Sequence, residues 1–402
     1  VTRRAAFLLF AASLLLFSAG SVAAPPDAPP KADPKKSGGF EGRTKEGKAR
    51  LLKEFGGSEE GEEAVMLGLA WLTQMQKQAG NWQYDSGHVT DHAAATGMAV
   101  LAFTGAGQSH KEGRYKQTVQ AGVDWLVADV DMTQGPNYGK FKNVSPGQYM
   151  YSQGIATLAL VEAYGLTHDP ALKKAAQAAI DYIQNAQGAN GSWGYAAHQV
   201  GDTSIVGWQI QALHAAKLTQ DLVVDDKVIA KAIKFLNYVS TGQSKAVYGY
   251  RTPGGGPATA LTAIGLLCRY YIDGWRAETP GFAEGAKGLM RGAVAGRPRQ
   301  ALSNLYYFYY ATQVVRFHGG EEWKTWNEGP TGPDGNRKGG LPDWILSLQV
   351  RTPIDRGSWN PENGAFGAGC GRLGTTCMCL LTLEVYYRYT PEENEKNKKS
   401  EK

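Results

Sequence analysis

The chain is poor in the features that announce a function. Its 402 residues include only four cysteines, Cys268, Cys370, Cys377 and Cys379. They are too few and too clustered for a disulfide framework, although one bridge fits an oxidising compartment. Cys377 and Cys379 stand two apart and on a helix face different sides, so they do not pair with each other; three of the four read as small buried side chains. A surplus of one charge is also missing. Lys and Arg number 42 against 37 Asp and Glu, a net +5 that falls by two if Arg3 and Arg4 are removed with a leader. With no basic stripe interleaved with aromatics, that balance excludes a nucleic-acid partner. Long apolar runs are absent except from Phe7 to Phe17 in VTRRAAFLLFAASLLLFSAGSVAAPP. That run follows two arginines, is too short for a membrane span, and ends in small residues, so residues 1–24 read as a secretory signal peptide. The expectation is a secreted or periplasmic protein with no membrane span after cleavage. No cysteine follows the run, so a lipid anchor is not indicated.

Residues 25–58 are rich in Pro, Lys and Gly and read as a flexible tether, and residues 391–402 as a solvated charged tail. What lies between is repetitive. The pairs Trp71-Leu72, Trp125-Leu126, Tyr182-Ile183, Phe235-Leu236, Leu289-Met290 and Trp344-Ile345 recur at spacings of 54, 57, 53, 54 and 55 residues. Each unit has a first helix with one charged side, a Gly-rich turn, and a second helix almost free of charge, such as HAAATGMAVLAF or TSIVGWQIQAL. A helix apolar all round has to be covered on every side, so the second helices form an inner ring and the first helices an outer one. A solenoid would need a polar concave face, which these inner helices lack. The pattern predicts an all-α (α/α)6 toroid over residues 59–390, with the turns forming one rim of a central cavity.

The turns QKQAGNW (76–82), QNAQGANGSW (184–193) and QVRTPIDRGSW (349–359) resemble the Gln-Trp repeats of squalene-hopene and oxidosqualene cyclases. The six hairpins resemble the alpha-alpha toroid that those cyclases share with protein prenyltransferase β subunits and thioester domains. The Trp in each turn is expected to tie adjacent units together, with carbohydrate stacking by Trp82, Trp193 or Trp359 as the alternative. The chemistry implied by the resemblance is not matched. Along the cyclase segment DxDDTA this chain has Gln199, Val200, Gly201, Asp202, Thr203 and Ser204, so the proton-donor position falls on a glycine. In the prenyltransferase zinc site, Ser204 takes the place of the Cys, and TTCMCL (375–380) puts Thr375 where the His would be. GCGRL (369–373) has Arg372 and Leu373 in place of the Glu-Gln that a thioester needs. No cofactor is implied.

Other residues carry candidate roles of their own. Asp202 precedes an inner helix and reads as an N-cap that is compatible with catalysis. YDSGHVTDH (84–92) gathers Asp85, His88, Asp91 and His92 at the rim; a helix starting after His88 spoils a shared metal-binding face, so no metal is expected and a hydrogen-bonded cluster is. If the chain is an enzyme, Asp202, Asp85 and His92 are the candidate catalytic groups. Tyr306 and Tyr310 of YYFYY, with Trp208 and Tyr151, are candidates to line a cavity for an apolar ligand. His88, Asp91, His198, Arg251 and Arg372 complete the candidate rim. The expected partner is an apolar, isoprenoid-like small molecule or a protein at the cavity. The alternatives are a divergent cyclase or prenyltransferase, and a polysaccharide-active toroid that pairs Asp85 or Asp91 with Asp202.

Overall fold

The structure is a computed structural model that describes residues 39–86, 91–292, 304–361 and 365–390. His88 lies outside the described residues, as do residues 1–38 and 391–402. The outer helices are α2 (Glu59–Met75), α4 (Lys116–Asp129), α6 (Pro170–Asn185), α8 (Asp226–Val239), α10 (Pro280–Leu289) and α13 (Leu341–Ser347). The inner helices are α3 (His92–Gly105), α5 (Tyr149–Thr167), α7 (Thr203–Leu218), α9 (Ala260–Ile272), α11 (Leu305–His318) and α14 (Ala365–Leu383). Each inner helix packs on the next, and α14 returns to α3, so the ring closes as an (α/α)6 toroid. Additional elements are α1 (Lys45–Phe55), α12 (Gly320–Glu328), α15 (Val385–Arg388) and a short antiparallel hairpin of β1 (Ser240–Thr241) and β2 (Val247–Tyr248) in the fourth turn.

Burial follows the charge pattern. In α3 every residue from Ala93 to Gly105 is buried, whereas α8 buries only the stripe Val228, Ile229, Ala232, Phe235, Leu236 and Val239. The Gln-Gly-Trp turns explain how the units are joined. In three of them the Trp indole N–H donates to the carbonyl of the second residue of the repeated pair: Trp82 to Leu72 at 2.7 Å, Trp193 to Ile183 at 2.7 Å and Trp359 to Ile345 at 2.6 Å. The Gln amide of the same turn donates to its own turn and to the next outer helix: Gln76 to Gly80 and Thr118, Gln187 to Gly191 and Val228, Gln349 to Gly357 and Ala64. The last of these joins the sixth unit to the first. Gly80, Gly191 and Gly357 have φ of +91, +87 and +96°, and a Cβ on each would fall within 2.6, 2.1 and 2.2 Å of a carbonyl oxygen of that neighbouring helix. Only glycine allows both the left-handed backbone and the approach. All three indoles are fully buried, so the Trp residues are struts and do not stack on a carbohydrate.

Two expectations are corrected here. The tether does not extend to residue 58: Glu41–Arg43 form a 3-10 turn and α1 follows, capped by Thr44. Leu51 and Phe40 are buried in the core, and Arg43 is 4% exposed beneath the inner helices. The Lys-rich composition of this segment describes only its solvent side. Among the described residues, the middle of the toroid's axis is also filled, where a cavity was expected. Trp208 of α7 stacks on Tyr309 of α11 with ring centroids 5.6 Å apart and meets Tyr310 edge-on at 6.0 Å. Gln211 accepts from the Tyr309 hydroxyl at 2.8 Å and donates to Tyr310 at 3.2 Å. These bonds cross the ring and fill its middle.

Candidate functional site at the mouth of the toroid

The N-terminal ends of the inner helices face the Gly-rich turns, and this end is the mouth. A backbone N–H at the start of an inner helix bonds to the next turn in three units: Ala93 to Asn143, Met150 to Tyr195 and Thr203 to Tyr250. Where the ring closes, a side chain does the same job, as Leu373 N–H donates to Asp85 Oδ1 at 3.1 Å. Asp85 also lies where a Cβ on Gly371 would be, 2.1 Å from Oδ1, and Gly371 (φ 64°) is the kink that divides α14. Asp85 is thus held as the cap of a restarted helix.

Each of the other candidate residues has a definite place. Asp91 caps α3: Oδ1 accepts from Ala94 at 2.8 Å, and Oδ2 accepts from Ser145 N–H at 3.0 Å and from the Ser152 hydroxyl of α5. Burial pushes its pKa up, against the lowering effect of those bonds. His92 turns away from this network, with Nδ1 3.0 Å from the Asn81 amide and its ring 6.4 Å from Trp125 of the outer ring. Arg372 braces the sixth turn through Ser358 at 3.0 Å and Asp355 at 3.4 Å. His198 has a left-handed backbone (φ 62°) and is exposed; Arg251 is exposed over the Tyr250 ring, 5.3 Å from its centre. Asp85, Asp91 and His92 thus each have partners of their own, and Asp202 is not among those partners. Of the proposed lining residues, Trp208 is 1% and Tyr310 0% exposed. They lie in the filled middle beneath the mouth, while Tyr151 and Tyr306 remain partly exposed at it.

What the structure does assemble is centred on Asp202 and Ser204. Asp202 is fully buried and caps α7, its Oδ1 accepting from Ser204 N–H at 3.0 Å, from Ile205 N–H at 3.3 Å and from the Ser204 hydroxyl. Its Oδ2 is buried, with the Tyr250 phenol as its polar neighbour. Tyr151 of α5 lies 2.6 Å from Ser204 Oγ, and Tyr306 of α11 donates to the Ser204 carbonyl at 3.3 Å. Tyr195 and Tyr250, from the third and fourth turns, share a 2.7 Å hydroxyl contact. Phe366 of α14 stacks on Tyr306 at 6.3 Å, and Tyr195 lies 6.1 Å from Tyr151. Desolvation pushes the phenols of Tyr151, Tyr250 and Tyr306 up, and the charge of Asp202 adds to the shift in all three, so they stay protonated. Sequence reading missed Tyr195 and Tyr250, whose aromatic-Gly-aromatic turns (WGY and YGY) were the available signal.

Among the described residues no group of His, Cys, Asp or Glu could hold a metal ion, and all four cysteines are free, with Cys370 alone half-buried. No helix among the described residues is long and apolar enough to cross a membrane. An outer groove of about 530 Å³ between β2 and α10, lined in part by Val247, Pro257, Lys287 and Arg291, includes none of the candidate residues.

No protein-family model matches the chain, and no curated protein matches it. Solved structures with the same architecture do. An inactive variant of an alpha-1,6-mannanase from Salegentibacter, in complex with alpha-1,6-mannotetrose, superposes with a TM-score of 0.54 at 10% identity, covering 82% of this chain and 99% of that one. A cellobiose 2-epimerase from Bacillus thermoamylovorans gives 0.51 at 13%, covering 84% and 99%. A type II terpene cyclase from Scytonema, bound to geranylgeranyl dihydroxybenzoate, gives 0.50 at 13%, covering 82% and 97%. At such identities the likeness is one of fold: saccharide-active and terpene-cyclising toroids share it equally.

Proposed function

We propose that this protein is an exported, squalene-cyclase-like toroid that has kept the scaffold without the chemistry, and that it binds an apolar, isoprenoid-like molecule at the tyrosine-ringed mouth. The observation that carries this reading is the contrast along the axis. Trp208, Tyr309 and Tyr310 fill the middle, while Tyr151, Tyr195, Tyr250, Tyr306 and Phe366 converge at one end and are only partly covered. Partly exposed rings over a packed aromatic middle suit an apolar body. The absence of turnover is supported by the fate of the motif positions. Gly201, at the cyclase proton-donor position, has no side chain and lies against the Trp193 carbonyl, which a Cβ would approach to 1.7 Å. Thr375, at the position of a zinc-binding His, spends its hydroxyl on the Gly371 carbonyl at 2.8 Å.

A second reading, a saccharide at the same mouth, is favoured by the hydroxyls on those rings; the mannanase and the epimerase are toroids named for saccharide chemistry. Hydrolysis needs two free carboxylates, whereas Asp85 and Asp91 are committed to backbone N–H groups. Native mass spectrometry of protein purified from its host's envelope fraction, with extraction of the co-purifying molecule, tests the proposal. A bound lipid that is lost on Tyr306→Ala supports it. A bound oligosaccharide would select the second reading, and a stoichiometric protein partner on an empty toroid would replace both.

A further inference from the structure

The directions of the hydrogen bonds at the mouth are fixed by elementary donor and acceptor rules. A carboxylate only accepts, so the Ser204 hydroxyl spends its single proton on Asp202 Oδ1. Tyr151, 2.6 Å from Ser204 Oγ, is then the donor in that contact. A carbonyl also only accepts, so Tyr306 spends its proton on Ser204 O. Both phenols therefore have no proton left to offer; the Tyr151 oxygen keeps lone pairs, while that of Tyr306 also accepts from Tyr310 and Trp208. Behind them lies the fully buried Asp202 carboxylate, in contact with the Tyr250 phenol, which burial and then its contacts with Tyr195 and Asp202 push up. The α7 helix end offsets about half a charge of this carboxylate and leaves the remainder.

We infer that the mouth selects a ligand carrying an organic cation, an alkylammonium group held against the rings of Tyr151, Tyr195, Tyr250 and Tyr306, with Asp202 supplying the counter-charge from behind Ser204. This rests on the proposed binding at the mouth and adds the chemical class of the head group. Aromatic faces with a nearby carboxylate are what a weakly hydrated cation prefers over its uncharged isostere. The Arg251 guanidinium already lies against the outer Tyr250 ring. Asp202 is a positioning and charge-supplying residue here, since it is covered and does not touch the ligand.

Choline and its uncharged carbon isostere 3,3-dimethylbutanol provide the test, titrated onto the full chain by ligand-observed NMR. The expected result is about tenfold tighter binding of choline, the scale of a partly desolvated cation–π contact. In Asp202→Asn, which keeps the rings and removes the counter-charge, that preference falls severalfold. Asn still caps a helix, so the variant folds, and an unchanged melting curve verifies it. Tyr151→Phe should weaken choline severalfold and leave the isostere unchanged. Equal binding of the two compounds overturns the cation assignment and leaves binding at the mouth standing. A choline preference unmoved by Asp202→Asn and by Tyr306→Ala places the cation elsewhere and overturns the site itself. Binding of neither compound overturns the inference, while the co-purification experiment still judges the mouth.

Discussion

The two ends of the toroid handle buried polarity in opposite ways. At the floor, under the C-terminal ends of the inner helices, Glu162 of α5 is fully buried and bound by Arg43 at 2.8 Å, by Arg388 at 3.2 Å and by the Tyr389 hydroxyl. These partners come from the two terminal segments of the fold: Arg43 Nε also donates to the Arg388 carbonyl at 2.8 Å, and Thr390 to Glu41 at 3.0 Å. Around Asp202 at the mouth the polar groups are uncharged phenols and a serine hydroxyl, and they come from inner helices and turns. The floor uses charge to pin the chain ends across the barrel. The mouth uses hydroxyls that remain partly exposed. A scaffold built this way can change mouth residues with little loss of stability, and that is where a ligand site belongs.

The sharpest way to break the comparison is to remove the floor's anion. Glu162→Ala leaves two buried guanidinium groups unpaired and should cost about 3–5 kcal/mol in urea unfolding. The two arginines and the Tyr389 hydroxyl overcome desolvation and hold the Glu162 pKa down to about 2. Its contribution is therefore complete above the ordinary glutamate pKa and is lost as pH falls toward about 2; Glu162→Gln should flatten that acid limb. His214 adds a limb at higher pH. It is stacked on Tyr271 with centroids 4.1 Å apart, and burial pushes it down to about 3. The unfolded chain takes up a proton below about pH 6.5 and the folded one does not. Stability should thus decline as pH falls from about 6.5 toward about 3, and His214→Phe should remove that slope in pH-dependent melting.

Smaller effects are expected from the stitches between units. Gly191→Ala requires a side chain at φ +87° and 2.1 Å from the Lys231 carbonyl. A loss on the order of 2 kcal/mol in chemical denaturation is expected. At the mouth, Asp202→Ala should cost about 1 kcal/mol through loss of the cap, and Asp202→Asn only a few tenths. If the mouth variants destabilised the fold as much as Glu162→Ala, the division between the two ends would fail.

Much of this was legible in the sequence. The 53- to 57-residue spacing gave the six units, and the charge asymmetry assigned each helix to its ring. Asp202 before TSIVGW reads as a cap because a short acceptor ahead of an apolar helix has few other uses. Two kinds of feature were not legible. Arg43 sits in a Lys- and Gly-rich stretch that resembles a tether, and its burial depends on Glu162 and Arg388, 119 and 345 residues away. The filling of the axis depends on contacts across the ring, such as that of Trp208 with Tyr309, which no local period encodes. For the same reason YYFYY suggested a cavity wall, whereas Tyr307 to Tyr310 are core and Tyr306 stays partly exposed at the mouth.

Hydroxyl-radical footprinting of the tyrosines in the unliganded protein tests the central claim most directly. A filled axis with an accessible mouth predicts strong labelling of Tyr250, 39% exposed, weaker labelling of Tyr151 and Tyr306, and protection of Tyr309 and Tyr310, which are 1% and 0% exposed. Labelling of Tyr309 and Tyr310 at the rate of Tyr250 would mean that the barrel is open along its axis, and would contradict the account.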